Sequence, residues 1–288
     1  MGQTLTVVRD LARLRRLVAK YRGQGESVAL VPTMGALHDG HISLVRAGRR
    51  RAKRVVVSIF VNPTQFAPTE DFASYPRTFE ADVAALRDVG ADVVWNPPVE
   101  VMYPADFVTR IVPAGPATAG LEDASRPHFF GGVATIVCKL LLQCLPDIAV
   151  FGEKDYQQLK VVTQMAKDLN IPTRIFGAPT VREKDGLAMS SRNAYLSAEE
   201  RKQASLLYQV LRDCAARIGE GEKPANVLGT GRKQIARGGF ALDYLELRDA
   251  ETLAPVSGAE KPLRLLVAAK LGATRLIDNI AVPKPATA

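Results

Sequence analysis

The sequence predicts an α/β protein in which a Rossmann-like parallel-sheet domain is followed by a smaller α+β lid domain. Short, continuously apolar runs alternate with amphipathic helical patterns up to about residue 170, as expected of strands buried on both faces of a parallel sheet. Beyond residue 180 the pattern changes to one helix followed by alternating strands. A length of 288 residues favours about two domains. We expect them to be residues 1–177 and 178–288.

In the first half of the chain, helical and strand patterns follow one another. Pro32 cannot donate to a ladder, so the first buried strand should end there. The predicted elements are a helix over 8–21, a strand over 28–31, a helix over 42–50, a strand over 55–61, a helix over 79–89, a strand over 92–95 and a short extra strand over 107–112.

The second half continues this rhythm and then leaves it. Ser197 and Glu200 have the spacing of a capping box that starts a helix. The predicted elements are a loop over 114–132, a helix over 133–144, a strand over 147–151, a helix over 156–169, a linker over 172–179, the capped helix with its apolar face over 207–218, and strands over 241–247, 263–268 and 274–282.

Composition indicates an ordinary globular chain, with 47% hydrophobic and 24% charged residues. No segment approaches the ~20 apolar residues of a membrane span, and the first 20 residues lack the apolar core of a signal peptide. We therefore expect a cytoplasmic protein with no membrane partner. Cys138, Cys144 and Cys214 have no C-x-x-C spacing, which favours buried thiols over a metal site or disulfide.

The net charge of +8 favours anionic ligands and would also suit a nucleic acid. The densest basic run covers residues 46–54. No aromatic residues are interleaved there for base stacking, so a solvated helix face is the favoured interpretation. We expect no nucleic-acid partner.

A turn between the first buried strand and its helix contains two of the three histidines. Gly35 and Gly40 let a ligand approach the backbone closely, and His38 and His41 fall where a helix start presents unpaired N–H groups to a phosphate. Ordinary loop histidines are the alternative interpretation. No other nucleotide-binding motif, such as G-x-x-x-x-G-K-[ST] or G-x-G-x-x-G after a strand, is present.

Polar residues at two other strand ends should face the same crevice, because the carboxyl ends of parallel strands line one edge of a sheet. Asn62 and Gln65 follow one strand, while Lys154 and Asp155 follow another. An ammonium there would offset phosphate charge, and a carboxylate could accept from ribose hydroxyls. A third segment, residues 190–192, supplies two hydroxyls and a guanidinium. Each stretch could also be a plain solvated loop.

Five ordered strings carry a family resemblance: PTMGALHDGH, VNPTQF with YPRT, FGEKDYQQ, VREKDGLAMSSRN and KLGATRLIDNI. His-x-Gly-His after a strand is similar to the signature of the HIGH-motif nucleotidylyltransferases and class I aminoacyl-tRNA synthetases. The whole set resembles the pantoate–β-alanine ligase family. That resemblance implies a ligase that uses ATP and Mg²⁺ to join pantoate to β-alanine through a pantoyl-adenylate, and a homodimer formed by the larger domains.

The resemblance also implies residue roles. His41 would be the proton donor, with His38 and Lys154 as further catalytic groups, and Gln65 and Gln158 would hold pantoate, joined by Asn62 from its strand-end position. The residues implied to bind ATP are Met34, Gly35, His38, His41, Gly152, Lys154, Asp155, Val181, Met189, Ser190, Ser191 and Arg192. We expect residues 189–192 to close over the nucleotide as part of a lid.

Two departures from the family pattern affect these expectations. Ala81 stands where members of the family usually carry an acidic residue. Asp82 is therefore the remaining candidate to contact Mg²⁺, acting through water. In the loop at 126–132, His128 replaces a glycine and Gly131 replaces an arginine.

Two other functions remain open from the sequence. A nucleotidylyltransferase would leave the nucleotide on its product, and the His-x-Gly-His turn does not distinguish it because both reactions expel pyrophosphate. A basic RNA-binding module related to tRNA synthetases is the second alternative.

Overall fold

A six-stranded, all-parallel sheet forms the larger part of the structure, a computed structural model that describes residues 5–67, 72–256 and 261–283. The strand order is β1-β4-β3-β2-β5-β6. The strands are β1 (Thr6–Val8), β2 (Val28–Thr33), β3 (Arg54–Ile59), β4 (Val93–Trp95), β5 (Ile148–Gly152) and β6 (Arg174–Ala178). The predicted Rossmann-like sheet is confirmed.

Helices cover both faces of this sheet. The helices are α1 (Leu11–Gly23), α2 (Asp39–Arg49), α3 (Phe79–Asp88), α4 (Val99–Met102), α5 (Glu122–Ser125), α6 (Phe129–Cys144) and α7 (Tyr156–Asp168). Val28 and Leu30 of β2 pack in the core shared with α1, α6 and α7, whereas Ala29 and Val31 pack in the core shared with α2 and α3. Because side chains alternate across a strand, burial on both faces explains the unbroken apolar run.

The order of the strands places a crevice beside β2. The chain runs from β2 outward to β3 and β4, then returns to the opposite side of β2 to form β5. In open α/β sheets, ligands bind at such a reversal, outside the carboxyl ends of the strands. The turn after β2 and the turn after β5 therefore meet at the position where a ligand is expected.

A three-stranded antiparallel sheet forms the smaller part, with β7 (Ala241–Asp249), β8 (Leu263–Leu271) and β9 (Thr274–Ala281). Three helices accompany it: α8 (Ala198–Ala204), α9 (Leu206–Gly219) and α10 (Pro224–Arg237). The Ser197–Glu200 capping box is confirmed, although it starts α8, and the predicted apolar face lies on α9 after an interruption at Ser205. Helix α10 was not predicted.

At the N-terminus, the helix predicted over residues 8–21 is wrong at its start. Residues 6–8 form β1 beside β4, and α1 begins after Asp10, whose carboxylate accepts a hydrogen bond from the Arg13 N–H at 2.8 Å. The strand predicted to end at Pro32 continues to Thr33. Pro32 is tolerated because the pairing of β2 with β5 covers only Ala29 and Leu30, so β5 needs no N–H from it.

Three further expectations are corrected. Residues 107–112 form no strand among the described residues, and Val108 and Val112 are 88% and 90% exposed. The predicted loop over 114–132 contains α5 and the first residues of α6. The predicted linker over 172–179 contains β6, which pairs with β5 at the sheet edge. The other predicted strands and helices are confirmed with shifted ends.

The basic run at 46–54 is only partly a solvated face. Arg54 donates to Glu26 at 2.6 Å and to the buried Asp92 at 2.9 Å, and the Arg51 guanidinium lies 3.6 Å from the ring centroid of Phe176. These contacts join strand and helix ends, but Arg54 is the only basic residue of the run that is partly buried, and the other basic side chains of the run are exposed. No helix within the described ranges has the length and apolar character needed to span a membrane.

Two adjacent glycines in the first turn of α6 provide a matched test of packing. A Cβ on Gly132 would lie 2.5 Å from the carbonyl oxygen of Thr64, whereas one on Gly131 would lie 3.5 Å from that of Ile111. We expect Gly132→Ala to lower the free energy of unfolding by about 1–3 kcal/mol through overpacking. Gly131→Ala should be neutral, or stabilising by up to about 1 kcal/mol through helix propensity. Urea unfolding of both variants measures the difference, and equal effects would contradict this packing.

Candidate active site

A cavity of about 860 Å³ lies between the carboxyl ends of the parallel strands and the antiparallel sheet. Its size falls in the usual range of small-molecule sites. Most of the predicted site residues line it: Met34, His38, His41, Gln65, Gly152, Lys154, Asp155, Gln158, Val181, Met189, Ser190, Ser191 and Arg192. The fold therefore brings together four segments far apart in the chain, around residues 34–41, 65, 152–158 and 181–192, and their individual roles stay predictions.

The turn after β2 is held in an unusual backbone conformation. Gly35 and Ala36 have φ values of 81° and 49°, in the left-handed region that favours glycine. The buried Asp82 carboxylate accepts hydrogen bonds from the N–H groups of Ala36 at 3.0 Å and Leu37 at 2.9 Å. A Cβ on Gly35 would lie 3.0 Å from that carboxylate. Asp82 thus stabilises the strained turn at the entrance to α2.

These bonds bear on the prediction that Asp82 contacts Mg²⁺. Each carboxylate oxygen already accepts a backbone N–H, and one also accepts the Thr78 hydroxyl at 3.1 Å. Within the described ranges, no group of three or more His, Cys, Asp or Glu side chains is placed to hold a metal ion. The residues present therefore do not fit a protein-built Mg²⁺ cage.

The two histidines are oriented by backbone donors. The Nδ1 atom of His38 accepts the Gly40 N–H at 3.1 Å, and the Nδ1 atom of His41 accepts the His38 N–H at 3.4 Å. A neutral imidazole that accepts at Nδ1 carries its proton at Nε2. The rings lie 4.1 Å apart, centroid to centroid, and both line the cavity. They therefore offer two Nε2–H donors to an oxygen-rich ligand.

The surroundings keep both imidazoles neutral at pH 7. Burial, followed by the charges of His38 and Lys154, lowers the pKa of His41 from 6.5 to about 3. Burial and then Lys154 also lower the pKa of His38. An anionic ligand in the cavity would act in the opposite direction, because negative charge favours the imidazolium.

Lys154 lies in a 3₁₀ turn, Glu153–Asp155, that directly follows β5. Its ammonium lies 3.7 Å from the Asp155 carboxylate. The side-chain amide of Asn279, in β9, donates to the carbonyl oxygens of both Glu153 and Lys154, at 2.9 and 2.8 Å. Asn279 was not singled out from the sequence. The sequence signal that could have found it is the adjacent polar pair Asp278-Asn279. In an alternating strand one of two neighbours faces the core, and in the structure both are buried.

Asn62 orients Gln65 instead of lining the cavity. Asn62 is 1% exposed. Its side-chain nitrogen donates to Gln65 Oε1 at 3.0 Å, and its side-chain oxygen accepts from the Tyr103 hydroxyl at 2.8 Å. The Arg126 guanidinium donates to the Gln65 main-chain carbonyl at 2.9 Å. Gln65 lines the cavity, and both its side chain and its main chain are held by neighbouring residues.

Residues 189–192 contact the turn after β2. The Ser191 hydroxyl donates to the Ala36 carbonyl at 3.2 Å, and the Met189 N–H donates to the Val181 carbonyl at 3.0 Å. The Arg192 N–H donates to the Ser190 hydroxyl at 3.3 Å. Ser191 and Ala36 are 155 residues apart, so this contact comes from the fold and not from local sequence.

A partly buried ion pair that sequence reasoning missed joins helix α5 to strand β9 beside the cavity. Arg275 of β9 donates to both oxygens of Glu122, at 2.7 and 2.8 Å, and to Asp243 at 2.7 Å. Tyr244 donates to Glu122 at 2.8 Å, and burial raises the pKa of its hydroxyl. Glu122 lay in a segment predicted to be a loop, and no sequence signal links it to Arg275.

Comparisons with known proteins find similar chains over nearly the whole length of this one. The family described as "Pantoate-beta-alanine ligase" matches residues 6–281. A pantothenate synthetase of Rhodopseudomonas palustris is 62% identical over 283 residues, which cover 98% of this chain and 100% of the relative. A crystal structure of pantothenate synthetase from Thermus thermophilus has 46% identity and a TM-score of 0.91, covering 96% of this chain and 99% of that one.

A third comparison involves a structure with bound ligands. It is the pantoate-beta-alanine ligase of Francisella tularensis, complexed with "Beta-gamma ATP and Beta-alanine", at 33% identity and a TM-score of 0.80, covering 96% of this chain and 98% of that one. The family match over nearly the whole chain, the 62% identity and the shared fold lead to one conclusion. This chain belongs to the pantoate-β-alanine ligase family.

Proposed function

We propose that this chain condenses (R)-pantoate with β-alanine to pantothenate, using ATP and releasing AMP and pyrophosphate. The observation that carries the proposal is the meeting of two neutral imidazole donors and one ammonium at a single cavity, where the β2 and β5 turns converge. Family membership supplies the two acids, and the Francisella tularensis ligase, described with "Beta-gamma ATP and Beta-alanine", supports ATP and β-alanine as ligands.

The reaction needs two steps, because a carboxylate does not react with an amine at neutral pH. In the first, a pantoate carboxylate oxygen attacks the α-phosphorus of ATP, and the bond to pyrophosphate breaks. The Nε2–H groups of His38 and His41 and the Lys154 ammonium stabilise the negative charge that develops on the phosphate oxygens. Because the donors are already oriented by backbone hydrogen bonds, little reorganisation is required as the charge forms.

In the second step, the β-alanine amine attacks the acyl carbon of pantoyl-adenylate, loses a proton and expels AMP. Gln65 and Gln158 hold pantoate, with Asn62 keeping the Gln65 amide in place. Gly152, Asp155 and Val181 contact the nucleotide, and Met34 and Gly35 shape the turn beneath it. Residues 178–288 act as a lid, with residues 189–192 covering the phosphates and excluding water from the mixed anhydride.

Mg²⁺ accompanies ATP in this proposal and is held mainly by phosphate oxygens and water, as is common for this ion. A cytoplasmic location is part of the same proposal. All three cysteines are buried free thiols, which is typical of proteins in a reducing compartment.

A homodimer formed by the larger domain is also proposed. The family resemblance implies this dimer, and residues 107–112 are where we expect its interface, because they leave Val108 88% and Val112 90% exposed. Single exposed apolar side chains are normal on a protein surface, so the interface needs a contiguous patch around these two valines. We expect light scattering to give about twice the chain mass of 31.2 kDa. Val112→Lys should shift the protein toward the monomer, and a monomeric wild type would contradict the interface.

The reaction itself is tested by its products. We expect AMP and pyrophosphate from ATP and D-pantoate, with AMP release accelerated by β-alanine and pantothenate formed in equal amount. Chelation of Mg²⁺ with EDTA should stop the reaction, and added Mg²⁺ should restore it. ADP as the product would exclude the adenylate mechanism. A stable nucleotidyl product formed without consumption of the amine would indicate a nucleotidylyltransferase instead.

The neutral histidines predict how stability depends on pH. Between pH 6.5 and about 3 the unfolded chain binds a proton at His41 that the folded chain does not, so the free energy of unfolding rises with pH in this window. His41 contributes a slope of at most about 1.4 kcal/mol per pH unit. We expect His41→Asn to flatten the slope between pH 5 and 6.5 in urea unfolding. The control is His128→Asn, which removes an exposed histidine outside the cavity. A slope unchanged by His41→Asn would rule out the neutral imidazole.

A further inference from the structure

The side-chain amide of Asn279 is fully engaged, and its orientation is fixed by chemistry. Its oxygen accepts from Arg264 Nε at 2.7 Å, and a guanidinium can only donate. Its nitrogen must therefore face the carbonyl oxygens of Glu153 and Lys154, at 2.9 and 2.8 Å. Asn279 is 2% exposed, so water does not compete for these bonds.

Neighbouring ion pairs hold Asn279 in turn. Its main-chain N–H donates to Asp278 at 2.7 Å, and Asp278 forms two hydrogen bonds with Arg182, at 2.6 and 2.9 Å. Arg264 also donates to the Glu153 carboxylate at 3.1 Å and lies 4.1 Å from the ring centroid of Tyr156. The turn that carries Lys154 is thus fastened to the antiparallel sheet and not only to the strand before it.

We propose that Asn279 is a positioning residue that sets where the Lys154 ammonium lies, so that the antiparallel sheet completes the phosphate site built by the parallel sheet. This inference rests on the proposed function, because it assigns Lys154 to the phosphates of ATP. Lys154 follows β5 by two residues and has a long, flexible side chain. Its direction depends on the main chain of the turn, and the two Asn279 bonds fix that main chain.

The position of the Lys154 ammonium therefore depends on the contact between the second domain and the Glu153–Asp155 turn. Without the Asn279 amide, two carbonyl oxygens lose their donors and the Glu153–Asp155 turn gains freedom. The attraction between an ammonium and a phosphate falls as they separate, and it is strongest where water is excluded. Loss of Asn279 should therefore weaken the same interaction that removal of Lys154 abolishes.

A double-mutant cycle on nucleotide binding tests this link without requiring catalysis. The probe is α,β-methylene-ATP with Mg²⁺, titrated by calorimetry into wild type, Asn279→Ala, Lys154→Ala and the double variant. We expect Asn279→Ala to weaken binding about 10- to 100-fold, by analogy with the loss of hydrogen bonds that support metal ligands. Lys154→Ala should weaken it at least as much, because it removes the ammonium itself. The double variant should bind no more weakly than Lys154→Ala, within about threefold, because both changes remove one interaction.

A matched control separates positioning from general damage to the contact between the sheets. Glu251→Gln removes the exposed ion pair with Lys160, at 2.9 Å, which joins the turn after β7 to helix α7 and does not touch the Lys154 turn. It should bind the analogue as the wild type does. Arg264→Gln provides a second variant if Asn279→Ala does not fold. This variant keeps the Asn279 amide but removes the Arg264 donor that orients it. It should weaken binding of the analogue in the wild-type background but not in the Lys154→Ala background.

The outcomes are distinct. Wild-type affinity in Asn279→Ala, or a double variant weakened by the product of the two single effects, would overturn the positioning role. A wild type that binds the analogue but releases no AMP from ATP and pantoate would refute the proposed function while leaving the coupling between Asn279 and Lys154 measurable.

Discussion

The site depends on one interaction, the acceptance of two consecutive backbone N–H groups by the buried carboxylate of Asp82. These bonds hold Gly35 and Ala36 in left-handed conformations, one of which an alanine adopts only at a cost in free energy. The turn that follows sets the first residue of α2 and the directions of His38 and His41. Asp82 therefore acts on the directions of the two imidazoles through the backbone, from helix α3.

A second constraint is electrostatic. The cavity holds the Lys154 ammonium beside two imidazoles whose pKa values are lowered by burial and by that charge. The imidazoles therefore present N–H groups as neutral donors, and Lys154 provides the positive charge. This division avoids placing three positive charges close together in the cavity.

Polar contacts join the parallel-sheet part to the antiparallel-sheet part, beside an apolar cluster of Leu121, Tyr156, Leu253 and Leu266. Glu122 with Arg275, and Glu153 with Arg264 and Asn279, join chain segments more than 100 residues apart. Ion pairs that are partly removed from water require defined geometry, since a displaced partner leaves a charge without compensation. They fix how the two sheets face each other across the cavity, and so which side chains from the second sheet line it.

The sequence by itself determined the sheet type, most of the elements and the segments that form the site. Burial on both faces of the parallel strands leaves an apolar run that is visible without a structure, and glycines and histidines mark the turn after β2. Local patterns could not assign β1 or β6, because edge strands have weaker apolar runs. They also could not reject the strand at 107–112, where Val108 and Val112 are exposed while Ile111 packs against the core. Only the tertiary structure decided that Asp82 holds a turn, that Asn62 orients Gln65, and that Asn279 contacts the Lys154 turn. Each of these depends on a hydrogen bond, and a hydrogen bond is set by the distance and direction of two atoms, which residue type and spacing along the chain do not specify.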